Sequence, residues 1–366
     1  METLKQRALL RTLNETERVG PVEVLRDGKR LISFSCNDYL NLTQHPDIKA
    51  AAIRATEKYG TGSGASRLVT GNHPLYAELE RNLADFKGTE DACVFGSGYL
   101  ANTGIIPALI DSQDMVCVDE LSHACIYAGT QLSAGAVHVF RHNDMDHLRE
   151  ILDAHRTQHP HAMIVTDGVF SMDGNLAPVD FLSHIADEFD AWLMIDDAHG
   201  IGVIGDGNKV SVPLQMGTLS KAIGAYGGYL CASRSVIDLI RTRCRTLIYS
   251  TGLPPGVIAA ASAAIDLIRK DPAFAALPLQ KARAFTKTLG LTDATSPIVP
   301  IILGSADKTM EASRLLQDEG FLVIAIRPPT VPDGTARLRV TFTAAHEDAD
   351  IQRLTDILKT RVLDQT

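Results

Sequence analysis

Between residues 91 and 195, short apolar runs alternate with longer stretches whose apolar positions recur at helical spacing. DACVF (91–95), MVCV (115–118), AVHVF (136–140), AMIVTD (162–167) and AWLMI (191–195) read as strands, most of them continuously apolar as in a sheet covered on both faces. The segments 46–59, 73–87, 99–110, 122–132, 145–155 and 179–189 read as helices. Strands joined by helices call for a mainly parallel sheet with right-handed crossovers, so the pattern predicts an α/β fold with a three-layer α/β/α large domain. Before it, residues 1–20 have helical spacing, and VEVLRDGKRLISF (22–34) reads as a hairpin turning at Asp27-Gly28, an arm more than a core element. After it come a helix near 255–270 and the proline-bearing DPAFAALP (271–278), which marks an exit into a smaller C-terminal α+β domain. That domain carries strand 298–303, helix 308–320 and strands around FLVIAI and ARLRVTFT. The expected division is an arm at 1–39, a large cofactor-binding domain at 40–272 and a small domain at 273–366, with no internal repeat.

Composition narrows the partners. A formal net charge of -9 and a pI near 5.7 disfavour nucleic acid and anionic membrane, though not small anions. No apolar run approaches the roughly 18 residues that span a bilayer, and the first twenty residues hold no apolar signal core, so a cytoplasmic protein is expected. Six cysteines lie scattered without C-x-x-C pairing, which suits reduced thiols better than a disulfide frame or a zinc site; no metal ligand set is expected.

The chemistry concentrates at the ends of the predicted strands. Lys221 sits in GTLSKAIGAYGGY (217–229), a short strand-like run entering glycines that allow close backbone approach. A Ser-Lys pair alone carries little information. Asp196, however, follows the apolar run AWLMI, so its carboxylate emerges at a strand's C-terminal end, where open α/β sheets bind ligands. A lysine amine for an aldehyde and an acid for a ring nitrogen are what pyridoxal phosphate needs. FGSGYLAN (95–102) passes from strand to helix, so backbone N–H groups at Gly98 and Tyr99 would bind a phosphate, with the Thr218 hydroxyl as a further donor. His123 opens a helix after strand MVCV and offers an imidazole to stack on a flat ring, or simply a helix cap. His199 lies three residues beyond Asp196, and Ser171 follows strand AMIVTD. The glycine-rich segment 60–80 lacks G-x-x-x-x-G-K-[ST], and no dinucleotide fingerprint follows a first strand, so nucleotide readings lose ground.

FSCNDYLNL (34–42), GTGSGASRLVTGNHPLYAELE (60–80), TDGVFSMDGNLAP (166–178), DDAHGIGVIG (196–205), GTLSKA (217–222) and AIRPPTVPDGTARLRVTFTAAH (325–346) together resemble the α-oxoamine synthases over nearly the whole chain. These are fold-type I pyridoxal phosphate enzymes that condense an amino acid with an acyl thioester. The resemblance implies Lys221 as the Schiff-base lysine and later the base at the substrate Cα, and Asp196 as partner of the pyridinium nitrogen. His199 would donate to the ring oxygen, His123 stack on the ring and Ser171 support it, while Gly98, Tyr99 and Thr218 hold the phosphate. It also implies a homodimer with active sites at the subunit interface, in which Thr251 reaches the neighbouring phosphate. Arg327 would grip the substrate carboxylate, with Asn37 and Arg11 on the substrate side. The RPPTVP segment favours the biotin-pathway member, hence L-alanine and pimeloyl-CoA or a pimeloyl carrier protein as substrates. Rivals are an aminotransferase, a relative taking another amino acid or thioester, and a non-catalytic partner subunit. Two connections, before Gly217 and at 271–296, are shorter than the family's usual ones, and Asn41 stands where a glycine is usual.

Overall fold

The computed structural model describes residues 13–204 and 212–363. The chain forms two compact units, one spanning Cys36–Pro300 with Thr341–Ala344, the other made from the segments up to Ser35, Ile301–Val340 and Ala345 onward.

In the smaller unit, strands β1 (Glu17–Arg18), β2 (Glu23–Arg26) and β3 (Lys29–Ser33) form a meander. The β2–β3 turn places Asp27 at φ 51° and Gly28 at φ 73°, the left-handed pair that a two-residue hairpin requires. This hairpin does not stand apart as an arm. A strand near the other end of the chain, Phe321–Leu322, pairs parallel to β3, matching Phe321 with Ile32 and Leu322 with Ser33. Of the N-terminus expected to be helical, residues 1–12 lie outside the described residues, and 13–20 are not helical but irregular apart from β1, which pairs with β2.

In the larger unit, β4 (Asp91–Phe95), β5 (Met115–Asp119), β6 (Ala136–Phe140), β7 (Ala162–Asp167), β8 (Trp192–Asp196), β9 (Leu214–Thr218) and β10 (Gly228–Ala232) form one sheet in the order β4-β10-β9-β8-β7-β5-β6. The run β9-β8-β7-β5-β6 is parallel, and β10 is antiparallel to both its neighbours. The strands are apolar throughout because both faces are covered. Val116, Val118, Met163, Val165, Met194, Leu214 and Met216 pack on one face with Ile105 and Ile106 of helix Gly98–Leu109. Met115, Cys117, Ile164, Leu193 and Ile195 face the other way, against Leu148, Leu152, Leu182 and Ile185. This alternation decides which strand-end side chains share a face.

The predicted helices from residue 46 onward form within a residue or two at each end. The stretch after residue 270 differs from expectation. Helix Pro272–Leu289 occupies it, with Pro272 at a first-turn position that tolerates its missing N–H and Asp271 accepting from the Phe274 N–H at 2.9 Å. Pro278 lies buried inside this helix, so a proline pattern that reads as a domain exit is here accommodated within the larger unit, which runs on to Pro300. Beyond it, β11 (Ile298–Gly304), β13 (Ile324–Ile326) and β14 (Ala336–Thr341) form a three-stranded sheet, with Phe321–Leu322 as β12.

Candidate active site

At the carboxyl ends of the strands, parity selects the chemistry. Asp167, Asp196 and Thr218 lie an even number of residues beyond Val165, Met194 and Met216, on the face that packs against helix Gly98–Leu109. Asp197 and Asp119 fall on the opposite parity. The neighbouring Asp196 and Asp197 therefore serve different layers. Asp197 pairs at 2.8 Å with Lys87, at the end of helix Pro74–Lys87, both side chains buried. Burial pushes the Asp197 carboxyl up, and the lysine charge and hydrogen bond oppose the rise.

Asp196 is 4% exposed and doubly held. Its Oδ1 accepts the main-chain N–H of Ala198 at 2.9 Å, and its Oδ2 accepts the amide Nδ2 of Asn102 at 2.7 Å. Asn102 sits one turn into the helix that FGSG opens. The same Nδ2 lies 3.1 Å from Cys125 Sγ, and Cys125 Sγ lies 2.8 Å from His123 Nδ1. His123 caps helix Ala124–Ser133, its Nδ1 accepting from the Cys125 N–H, while its own main-chain N–H donates to Asp167 Oδ2 at 2.8 Å. Burial lowers the His123 pKa; Asp196 opposes that and Lys221 adds to it. Burial, then the Asp196 charge, holds Asp167 well above the carboxylate range, against the His123 N–H and Lys221. Lys221 thus acts electrostatically on His123, Asp167 and Cys125 together. It stands in the turn between β9 and β10, its carbonyl accepting from the Gly224 N–H at 2.9 Å.

The start of helix Gly98–Leu109 is pressed against β9 and β10. Ser97 caps it by accepting from the Leu100 N–H at 3.1 Å. A Cβ on Gly98 would lie 3.4 Å from the Thr218 Cβ, and one on Gly228 would meet the Ser97 carbonyl oxygen at 2.5 Å and the Gly98 nitrogen at 2.8 Å. Two glycines and a hydroxyl thus bring a helix N-terminus beside Asp196's neighbourhood, a cradle whose donors suit a phosphate. Thr218 Oγ1 also donates to the Gly227 carbonyl at 2.8 Å. Tyr99 is 55% exposed.

His199 is buried on the turn after β8, its Nδ1 2.7 Å from the hydroxyl of the fully buried Tyr39. That hydroxyl also lies 3.4 Å from Asn37 Oδ1. Ser171 is half-buried in a loop closed by the Phe170 N–H on the Asn175 carbonyl at 3.0 Å. Thr251 is exposed and bridged to Ser66. Arg327, half-buried, follows β13 in the smaller unit, and Arg11 and Gly205 lie outside the described residues. Asn41 adopts φ 55°, ψ 28°, a left-handed conformation that asparagine tolerates, which accounts for its standing at a glycine position. Sequence reasoning passed over Asn102, Cys125, Asp167 and Tyr39. Asn102, Asp167 and Tyr39 stand in the segments 95–102, 162–167 and 34–42, and strand parity singles out Asp167.

A covered three-layer sheet with an acid-lined row of strand ends beside a helix N-terminus defines a ligand-binding α/β enzyme. The model of the class I and II aminotransferases matches residues 29–358, and the chain belongs to that family. Among its relatives, 8-amino-7-oxononanoate synthase of Methylocella silvestris is 61% identical over 345 residues, covering 92% of this chain and 99% of the relative. The enzyme of the same name from Beijerinckia indica is 58% identical over 363 residues, covering 97% and 94%. Serine palmitoyltransferase of S. paucimobilis, solved with pyridoxal phosphate and myriocin, superposes with a TM-score of 0.92 at 30% identity, over 98% of this chain and 94% of that one.

Proposed function

We propose that the chain is a pyridoxal phosphate-dependent acyltransferase that condenses L-alanine with a pimeloyl thioester, with loss of carbon dioxide, to give 8-amino-7-oxononanoate for biotin synthesis. The observation that carries the reading is the meeting of Lys221, His123 and the Asn102-held Asp196 on the face where helix Gly98–Leu109 begins. The geometry fits the cofactor: Gly98 and Gly228 let a helix start pack closely against β9 and β10, where its N–H groups suit a phosphate, and Asp196 is fixed as an acceptor. When bound, pyridoxal phosphate supplies an aldehyde for an amine and a protonated ring that takes up electron density from the substrate Cα.

Each residue then has a task. Lys221 Nζ would hold the cofactor's aldehyde and, once alanine has taken its place, would be the amine that accepts the Cα proton. Asp196, held by Asn102 and the Ala198 N–H, would accept the ring N–H. His123, kept neutral by burial, stacks without adding a positive charge beside that ring. His199, oriented by Tyr39, donates to the ring oxygen, and Ser171 supports the ring. Gly98, Tyr99 and Thr218 bind phosphate, joined by Thr251 of a second copy. Arg327 holds the alanine carboxylate through a paired geometry that lysine lacks, with Asn37 and Arg11 on the acyl side. The nucleophilic Cα attacks the thioester carbonyl, the thiol of coenzyme A or of a carrier protein leaves, and carbon dioxide follows before Lys221 returns a proton.

The likeness to a serine palmitoyltransferase favours serine as a rival amino acid. Thiol and carbon dioxide release, measured with alanine, serine and glycine against pimeloyl and longer thioesters, decides between them. Alanine with pimeloyl donor is expected to be preferred. Lys221→Ala is expected to lose turnover and the cofactor's lysine-bound absorbance; full condensation by that variant would sink the assignment.

A further inference from the structure

The amide of Asn102 has two hydrogens and two acceptors. Asp196 Oδ2 takes one at 2.7 Å and Cys125 Sγ the other at 3.1 Å, and Asn102 itself is fully buried. Flipping the amide would point its oxygen at the Asp196 carboxylate, so the orientation is fixed by its neighbours. Beyond the sulfur, His123 Nδ1 already accepts the Cys125 N–H at 3.2 Å, so in the neutral ring the proton belongs on Nε2. The Cys125 thiol, pushed up to about 12 chiefly by burial, stays protonated. At 2.8 Å from an unprotonated nitrogen, it donates to Nδ1.

We propose that Asn102 is a positioning residue that links Asp196 to His123: it orients the carboxylate with one amide hydrogen and, through Cys125, fixes with the other the direction of a hydrogen-bond chain that leaves the His123 proton on Nε2. The chain runs Asn102 to Cys125 to His123, each donating to the next. Two donors on Nδ1 oppose its protonation and leave Nε2–H as the only donor the ring presents to the site. The consequence for catalysis rests on the reading of Asp196 and His123 as the residues facing the cofactor. The charges that act on His123 are Asp196 of β8 and Lys221 of the β9–β10 turn, with Asp167 of β7 accepting its main-chain N–H.

Histidine-labelled full-length protein, read by two-bond proton–nitrogen NMR with and without pyridoxal phosphate, gives both the tautomer and the titration midpoint of His123. The wild type is expected to show Nε2–H. Cys125→Val and Asn102→Leu, the latter keeping the volume but no donor, should each raise the midpoint by about 0.5 to 1 unit, the size of one net hydrogen bond. Cys125→Ser, which keeps a donor, should restore it. The double variant should shift no further than Cys125→Val alone, because Asn102 acts through the sulfur. An Nδ1–H tautomer in the wild type, an unmoved midpoint in Asn102→Leu, or additive shifts would overturn the proposal. Should Asn102→Leu not fold, Asn102→Ala takes its place, and equal midpoints for Cys125→Val and Cys125→Ser overturn the chain's direction. The cofactor-free arm is independent of the functional reading, which fails instead if Asp196→Asn leaves the spectrum and turnover of the loaded enzyme unchanged.

Discussion

His123 shows how one side chain can be legible in kind yet not in state. A histidine opening a helix at a strand end was visible in the sequence, but its protonation depends on Cys125, Asn102 and burial, which no local pattern reveals. Its lowered pKa has a sign. Between the depressed folded value and the unfolded 6.5, the unfolded chain binds more protons, so this contribution is intact above about pH 6.5 and is lost as pH falls below it. Thermal midpoints of the wild type and His123→Gln, compared from about pH 7.5 to about pH 5.5, should show the wild type losing more. Asp167, raised by burial, works in the other direction: its contribution is lost as pH rises above the unfolded carboxylate range near 3.8, and it is common to both proteins. A parallel decline in the two would remove His123 as the cause.

At the scale of elements, two contacts hold the frame of the site. Removing the ammonium in Lys87→Met leaves Asp197 buried without its counter-charge, and the expected loss is about 3–5 kcal/mol, measured by denaturant unfolding. A loss below about 1 kcal/mol would mean that water reaches the carboxylate. Gly228→Ala drives a Cβ into the Ser97 carbonyl and the first helical nitrogen, so stability should fall by about 1–3 kcal/mol and phosphate-dependent cofactor retention should weaken. Retention matched to the wild type on equilibrium dialysis would place the phosphate elsewhere. Strands and helices from 46 to 196 were readable because apolar period and turn residues agree there. The helix Pro272–Leu289 was not, since a buried Pro278 reads locally as a breaker and tertiary packing overrides it. Likewise the hairpin's partner β12 lies nearly three hundred residues away, a pairing that no local signal encodes.

For the whole molecule, the fold class was legible because parallel connectivity leaves few alternatives. The site was legible mainly through Lys221, Asp196 and the helix start, and less through residues that act only by contact. Leu68, Val69 and Tyr249 are large apolar side chains 63%, 74% and 74% exposed, flanking the bridged Ser66 and Thr251 along the chain. Such exposure suits a second copy better than water. Light scattering should give twice the 39.5 kDa chain mass. Dilution to monomer should abolish turnover, because Thr251 would then serve no neighbouring phosphate. Activity retained by a monomer would confine the site to one chain.

The consecutive acids at the end of β8 carry a last consequence. Because side chains alternate, a one-residue slip in the pairing of β8 would send the partner of Lys87 toward Asn102 and strand Asp196 against the wrong helix. Only the native register therefore gives Lys87 and Asn102 a carboxylate each, so the two contacts together fix which of the paired acids faces which layer.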